Sequence, residues 1–130
     1  MELIHIPMSP GELLDKITIL EIKSERINDA EKVANVRREL ELLNATWAEA
    51  VTSDKTVERL HRELKAINEE LWEIEDDIRD KERVKEFDER FIELARAVYF
   101  TNDKRAAAKK ELNLHLGSQI VEEKSYQDYS

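Results

Sequence analysis

The residues with most scope for chemistry lie in two charged runs of opposite sign. The stretch FTNDKRAAAKKELN, residues 100–113, gathers Lys104, Arg105, Lys109 and Lys110 in a chain of formal net charge -9. On a helix, steps of three and four residues return to one face. Asn102, Arg105, Lys109 and Asn113 therefore share an edge, while Lys104 and Lys110 point away from it. Leu112 and Leu116 border that edge, so a cationic strip runs beside an apolar one. If Thr101 or Asn102 starts a helix, its free N–H groups add positive field at the same end. Such an edge suits a phosphate or a carboxylate, and Asn102, Arg105, Lys109 and Asn113 are the candidate anion-binding residues. Two other fates compete with this one. The Lys and Arg stems can cover apolar surface while their heads stay wet, or the heads can pair with the acidic run of the preceding helix.

That acidic run is Glu69, Glu70, Glu73, Glu75, Asp76, Asp77 and Asp80, opposed locally by Arg79. Paired metal sites in helical bundles combine such carboxylates with Glu-x-x-His pairs. Glu2 and Glu58 stand three residues before His5 and His61, but neither pair belongs to this run, and His115 has no such Glu, so the run reads as a solvated helix face and no metal ligand set is assigned. With two glycines and no cysteine, the chain has no Gly-rich phosphate loop and no thiol chemistry. No catalytic residue and no cofactor is expected. Trp47 belongs to an apolar stripe, whereas Trp72 sits beside the seam of the third helix, flanked by acids, at a helix–helix or subunit contact.

The rest of the chain bounds these readings. Its 130 residues make one domain. No signal peptide opens it and no stretch reaches the roughly 18 apolar residues of a membrane span, so a cytoplasmic location is the expectation. The acidic balance argues against nucleic acid as a partner. Charged residues at 39% with only two prolines and two glycines favour long helices.

Residues 1–8 read as an extended arm. Ser9-Pro10-Gly11-Glu12 is a helix start with a cap, a proline at the first position and a capping box. A first helix is expected from Pro10 to about Asn28, and a second over roughly 30–51 with the stripe Val33, Val36, Leu40, Leu43, Trp47 and Val51, started by Asp29. The third, from about 55 to 84, carries Val57, Leu60, Leu64, Ile67, Leu71, Ile74 and Ile78 at alternating steps of three and four. This is a coiled-coil-like seam of about 45 Å. It predicts an antiparallel hairpin with the second helix and self-association along the uncovered remainder, through Leu64, Leu71, Trp72, Ile74 and Ile78. The segment FDERFIELARAVYF is apolar over a wide arc, which predicts the centre of a shorter bundle end. A fifth helix either follows Thr101-Asn102 or continues straight through to a cap at Gly117. The tail, 118–130, holds a β-prone piece at Gln119 to Val121, expected to pair as a short strand with the N-terminal arm.

The segments PMSPGELLDKITILEIKSERI, LHRELKAINEELWEIEDDIRDKE and FTNDKRAAAKKELN…LGSQIVEEKSY resemble together a small bacterial family of unknown function. Its members are encoded beside genes for cell-surface polysaccharide and glycosyl transfer. That resemblance spans nearly the whole chain and implies no site residue. A weaker one links ELLDKITILEIKSERI and VRRELELL to the all-helical chorismate mutases. It implies Lys16 and Arg26 as basic groups toward a dicarboxylate, which such enzymes hold with Arg and Lys from different helices, and Arg38 with Glu39 as the Arg-Glu pair of the second helix. The sequence as a whole predicts an all-α protein. Its expected role is a non-enzymatic interaction or oligomerisation module, with a homo-oligomer or another protein as partner and a small anion as ligand. The alternative is a small helical enzyme acting on an anionic metabolite, which requires Arg or Lys from at least two helices to converge on a pocket.

Overall fold

A computed structural model describes residues 1–129 and shows four helices: α1 (Pro10–Arg26), α2 (Ala30–Ala50), α3 (Lys55–Arg83) and α4 (Glu89–His115). Each begins where a short polar side chain can take an orphan N–H. Ser9 accepts from the Glu12 amide at 3.2 Å, Asp29 from Lys32 at 2.9 Å, Asp54 from Val57 at 2.8 Å and Asp88 from Phe91 at 2.9 Å. The capping box of α1 is only half made, because the Glu12 carboxylate reaches Lys109 at 2.8 Å. α3 and α4 end on left-handed residues, Lys85 (φ 57) and Gly117 (φ 66). After each, an amide reaches back to a last-turn carbonyl: Glu86 to Lys81 at 3.0 Å and Ser118 to Asn113 at 2.8 Å.

The long hairpin exists, but its second arm is α4 and not α2. Asp54 meets His115, Arg59 meets Glu111, and Asp77 meets Arg90, which fixes α3 and α4 antiparallel over their whole length. The backbone of α2 comes close to that of α1 and of no other helix, and no residue of α2 is buried. The seam of α3 is thus covered by α4, with α1 laid against both. Leu14, Val57, Leu60, Leu64, Ala108 and Leu112 form the core, closed at the end by Trp47, Val51, Ile67 and Leu116.

Of the two alternatives at Thr101-Asn102, the helix continues straight through, so α4 is one helix of 27 residues. Two other expectations are corrected. Among the described residues no strand forms, and the arm and tail do not pair as one. The aromatic segment of α4 is not a bundle centre. Phe87 and Ile92 are each 56% exposed, and from residue 87 to residue 100 only Leu94 is buried. The reason is reach. α3 extends about 44 Å and α1 only about 26 Å, so α1 stops beside Glu69 and Glu73, which Arg26 contacts at 3.6 and 3.4 Å. Beyond that point the hairpin is two helices thick.

Two of the caps are pH-dependent. The Val57 amide and His115 hold the Asp54 carboxyl below the usual carboxylate range, and Lys81 with the Phe91 amide does the same for Asp88. A lowered folded pKa gives stability that is complete above the ordinary carboxylate value and is lost as pH falls through the folded one. Far-UV circular dichroism melts are expected to show midpoints falling below about pH 4. Asp54→Asn/Asp88→Asn, which keeps both acceptors, flattens that part of the profile. An unchanged acid limb in the double variant contradicts the assignment.

Candidate functional site

The basic edge of α4 faces α1. The α1 residues it meets are Gly11, Glu12 and Asp15, and they run antiparallel to Asn113, Lys109 and Arg105. Asn113 is 2% exposed and its Oδ1 accepts from the Gly11 amide at 2.7 Å. A Cβ on Gly11 would lie 2.6 Å from the Lys109 carbonyl and 2.8 Å from Asn113 Oδ1, so only glycine permits this approach. Lys109 reaches Glu12 at 2.8 Å, Glu122 of the tail at 3.2 Å and Asp15 at 4.0 Å. Burial pulls its ammonium down, but the hydrogen bond to Glu12 and the charges of Asp15 and Glu12 outweigh this and hold it above the ordinary lysine value.

Asp15 is the centre of the arrangement. It is 1% exposed. Arg105 donates from Nε to Oδ1 at 2.9 Å and from Nη2 to Oδ2. Asn68 of α3 donates from Nδ2 to the same Oδ1 at 2.9 Å and to Thr18 Oγ1 at 3.0 Å, while Thr18 in turn donates to the Asp15 carbonyl at 2.8 Å. The Asp15 partner raises the Arg105 guanidinium further above its ordinary value. Two cations, Arg105 and Lys109, thus stand among three carboxylates, Asp15, Glu12 and Glu122. The edge is paired with α1 and the tail rather than with the acids of α3. Five of those seven acids find other partners: Arg26 for Glu69 and Glu73, Arg79 for Glu75, Arg90 for Asp77 and Arg83 for Asp80.

On the far side of Arg105 an open groove of about 520 Å³ lies between α1, α3 and α4. Its apolar floor includes Ile22, Leu71 and Trp72, and Asn68, Asn102 and Arg105 form one wall. Lys23 from α1 and Arg79 from α3 line it too, as do the acids Glu75, which Arg79 pairs with at 3.2 Å, and Asp76, so the cations left to face the groove are Arg105 and Lys23. Asn102 and Arg105 therefore open on this groove, whereas Lys109 and Asn113 are buried against α1.

The expected interface residues divide in the same way. Leu64 and Ile74 are buried inside the chain, Leu71 and Trp72 line the groove, and Ile78 is half-buried near the hairpin tip. The groups named by the likeness to chorismate mutases do not converge. Lys16 pairs with Glu39 at 3.5 Å on the surface, Arg38 bonds Asn35 on its own helix, and Arg26 reaches α3. Among the described residues no cluster of His, Asp and Glu is placed to hold a metal ion, and no helix is long and apolar enough to cross a membrane.

Residues 4–129 match the model of a family of unknown function, DUF6165. The chain belongs to DUF6165. Comparison with curated proteins gives no match, and comparison with solved structures gives none either. For this DUF6165 protein the chemistry must therefore be argued from its own residues. Those that sequence reasoning missed are Asp15, Thr18 and Asn68. Their signal was present: Gly11, Asp15, Thr18 and Ile22 are all buried and recur at steps of four, three and four on one face of α1. A small-and-polar stripe inside an amphipathic helix marks close helix approach, and a charge within it calls for a partner.

Gly11→Ala tests the close approach. Because the obstacle is backbone, the change is expected to cost about 1–3 kcal/mol and to lower the thermal midpoint measured by calorimetry. Gly11→Ala at wild-type stability would mean that α1 and α4 lie further apart than described.

Proposed function

We propose that this protein is a non-enzymatic interaction module that pairs with a second copy of itself through the distal half of the α3–α4 hairpin. The observation that supports the reading most is the uncovered apolar surface there. Val84, Phe87 and Ile92 are exposed, Ile78 and Phe91 are half-exposed, and Phe87 and Phe91 already meet edge to face at 5.1 Å. A hairpin of two helices has one apolar side too many, and pairing two hairpins into a four-helix bundle removes it. The charges suit a second copy. Asp77 and Asp80 are engaged within the chain by Arg90 and Arg83, which leaves Asp76 on α3 and Arg96 on α4 without an ion pair among the described residues and free to meet those of a copy related by a two-fold axis. The seam named from sequence remains the origin of the hairpin, but its free part is shifted toward the tip.

Size-exclusion chromatography with light scattering is expected to give twice the chain mass at micromolar concentration. Phe87→Ser/Ile92→Glu is expected to give the monomer mass with the helical circular dichroism retained. A wild-type monomer under these conditions would defeat the proposal.

A further inference from the structure

The groove beside Arg105 has the features of a ligand site and none that the core requires. Arg105 has five N–H donors. Two of them hold Asp15, one through Nε and one through Nη2. The other three are left for the groove that Arg105 lines, on a side chain that remains 29% exposed. Asp15 fixes the guanidinium plane in advance, so a ligand meeting its outer edge does not have to order it. Asn68 is 5% exposed and lines the same groove. Both hydrogens of its Nδ2 point inward, to Asp15 and Thr18. Its Oδ1 takes no hydrogen bond from the described residues and is not closed off from solvent, which leaves an open acceptor on a side chain that lines the groove. Lys23, also on the lining, has no ion-pair partner among the described residues. Trp72, Leu71 and Ile22 supply the apolar floor, and Trp72 offers both a face and an indole N–H.

We propose that this groove binds a small molecule with an apolar or aromatic body that bears one anionic group, a carboxylate or a phosphate, and an N–H or O–H donor. The anionic group meets the outer edge of the Arg105 guanidinium, with Lys23 and the Asn102 amide beside it. Planar donors of this kind hold either oxyanion in bidentate fashion. The body lies on Trp72 and Leu71. The donor satisfies Asn68 Oδ1, which would otherwise be a desolvated orphan beneath the ligand. The requirement for a donor is the specific part of the inference, because a plain hydrophobic anion would bury that acceptor unpaired. Such a site keeps an anion near Asn102 and Arg105 but sets it on the opposite side of Arg105 from Lys109 and Asn113. It does not depend on self-association, since the hairpin tip lies further along α3.

The test uses the full chain carrying Trp47→Phe, which leaves Trp72 as the one indole. Fluorescence is titrated with phenylalanine, phenylacetate, phenyl phosphate and neutral benzyl alcohol. The aromatic anions are expected to perturb Trp72 saturably below about 10 mM, and the ratio of phenyl phosphate to phenylacetate affinity reports which oxyanion the groove prefers. Phenylalanine, which adds the donor, is expected to bind several-fold more tightly than phenylacetate. Arg105→Lys, which keeps an ion pair with Asp15 but removes the outer N–H groups, is expected to weaken each anion roughly tenfold. Lys23→Gln on the surface is expected to act in the same direction with folding undisturbed. No saturation by any aromatic anion, or benzyl alcohol acting as strongly as the anions, overturns the proposal, as does full affinity in both variants.

Discussion

The buried carboxylate of Asp15 is the constraint around which the helices are arranged. Taking an ionised carboxylate out of water costs several kcal/mol even after relaxation. That cost is offset only if donors arrive from outside α1. Here they come from two other helices, Arg105 on α4 and Asn68 on α3. A slip of either helix by one turn would leave the charge unpaired, which is far worse than an apolar mismatch. The pair therefore sets the relative positions of α1, α3 and α4, while Leu14, Leu60, Leu64 and Leu112 supply the bulk of the burial around it.

This division of labour separates the molecule into two regions. Around Asp15 three helices are held together by apolar contact, a close Gly11–Asn113 approach and satisfied polar groups; among the described residues no fully buried side-chain polar atom lacks a partner. Further along the hairpin there is no third helix, and the same amphipathic pattern exposes its apolar side. Leu94 is 3% exposed and Ile92, on the opposite side of the same turn of α4, is 56% exposed, so this part of the helix is covered on one side only. The groove at the boundary inherits its fixed arginine from the core and its openness from the uncovered side.

Much of the fold was legible because its signals are local. Alternating steps of three and four from Val57 to Ile78 define α3 without reference to anything else, and Ser9, Asp29 and Gly117 mark ends by backbone chemistry alone. Pairing was not legible. An apolar stripe states that a helix must be covered, not by which neighbour, so α2 looked as good a partner for α3 as α4. The same limit applied at the site. The edge formed by Asn102, Arg105, Lys109 and Asn113 was recognisable from spacing, but its partners lie about ninety to a hundred residues away in α1. Asp15 was overlooked because a single acid in a charged chain is unremarked until its neighbours at Gly11, Thr18 and Ile22 are seen to be buried with it.

The central claim is that the Asp15–Arg105 pair is a unit rather than two independent surface charges. A double-mutant cycle measures this directly, using urea unfolding of wild type, Asp15→Ala, Arg105→Ala and the double variant. Each single change is expected to cost about 3–5 kcal/mol, because it strands the other charge. The double variant is expected to be little worse than either single one, giving a coupling above about 2 kcal/mol. Losses that simply add, to within about 0.5 kcal/mol, would contradict the claim that this pair holds α1 to the hairpin.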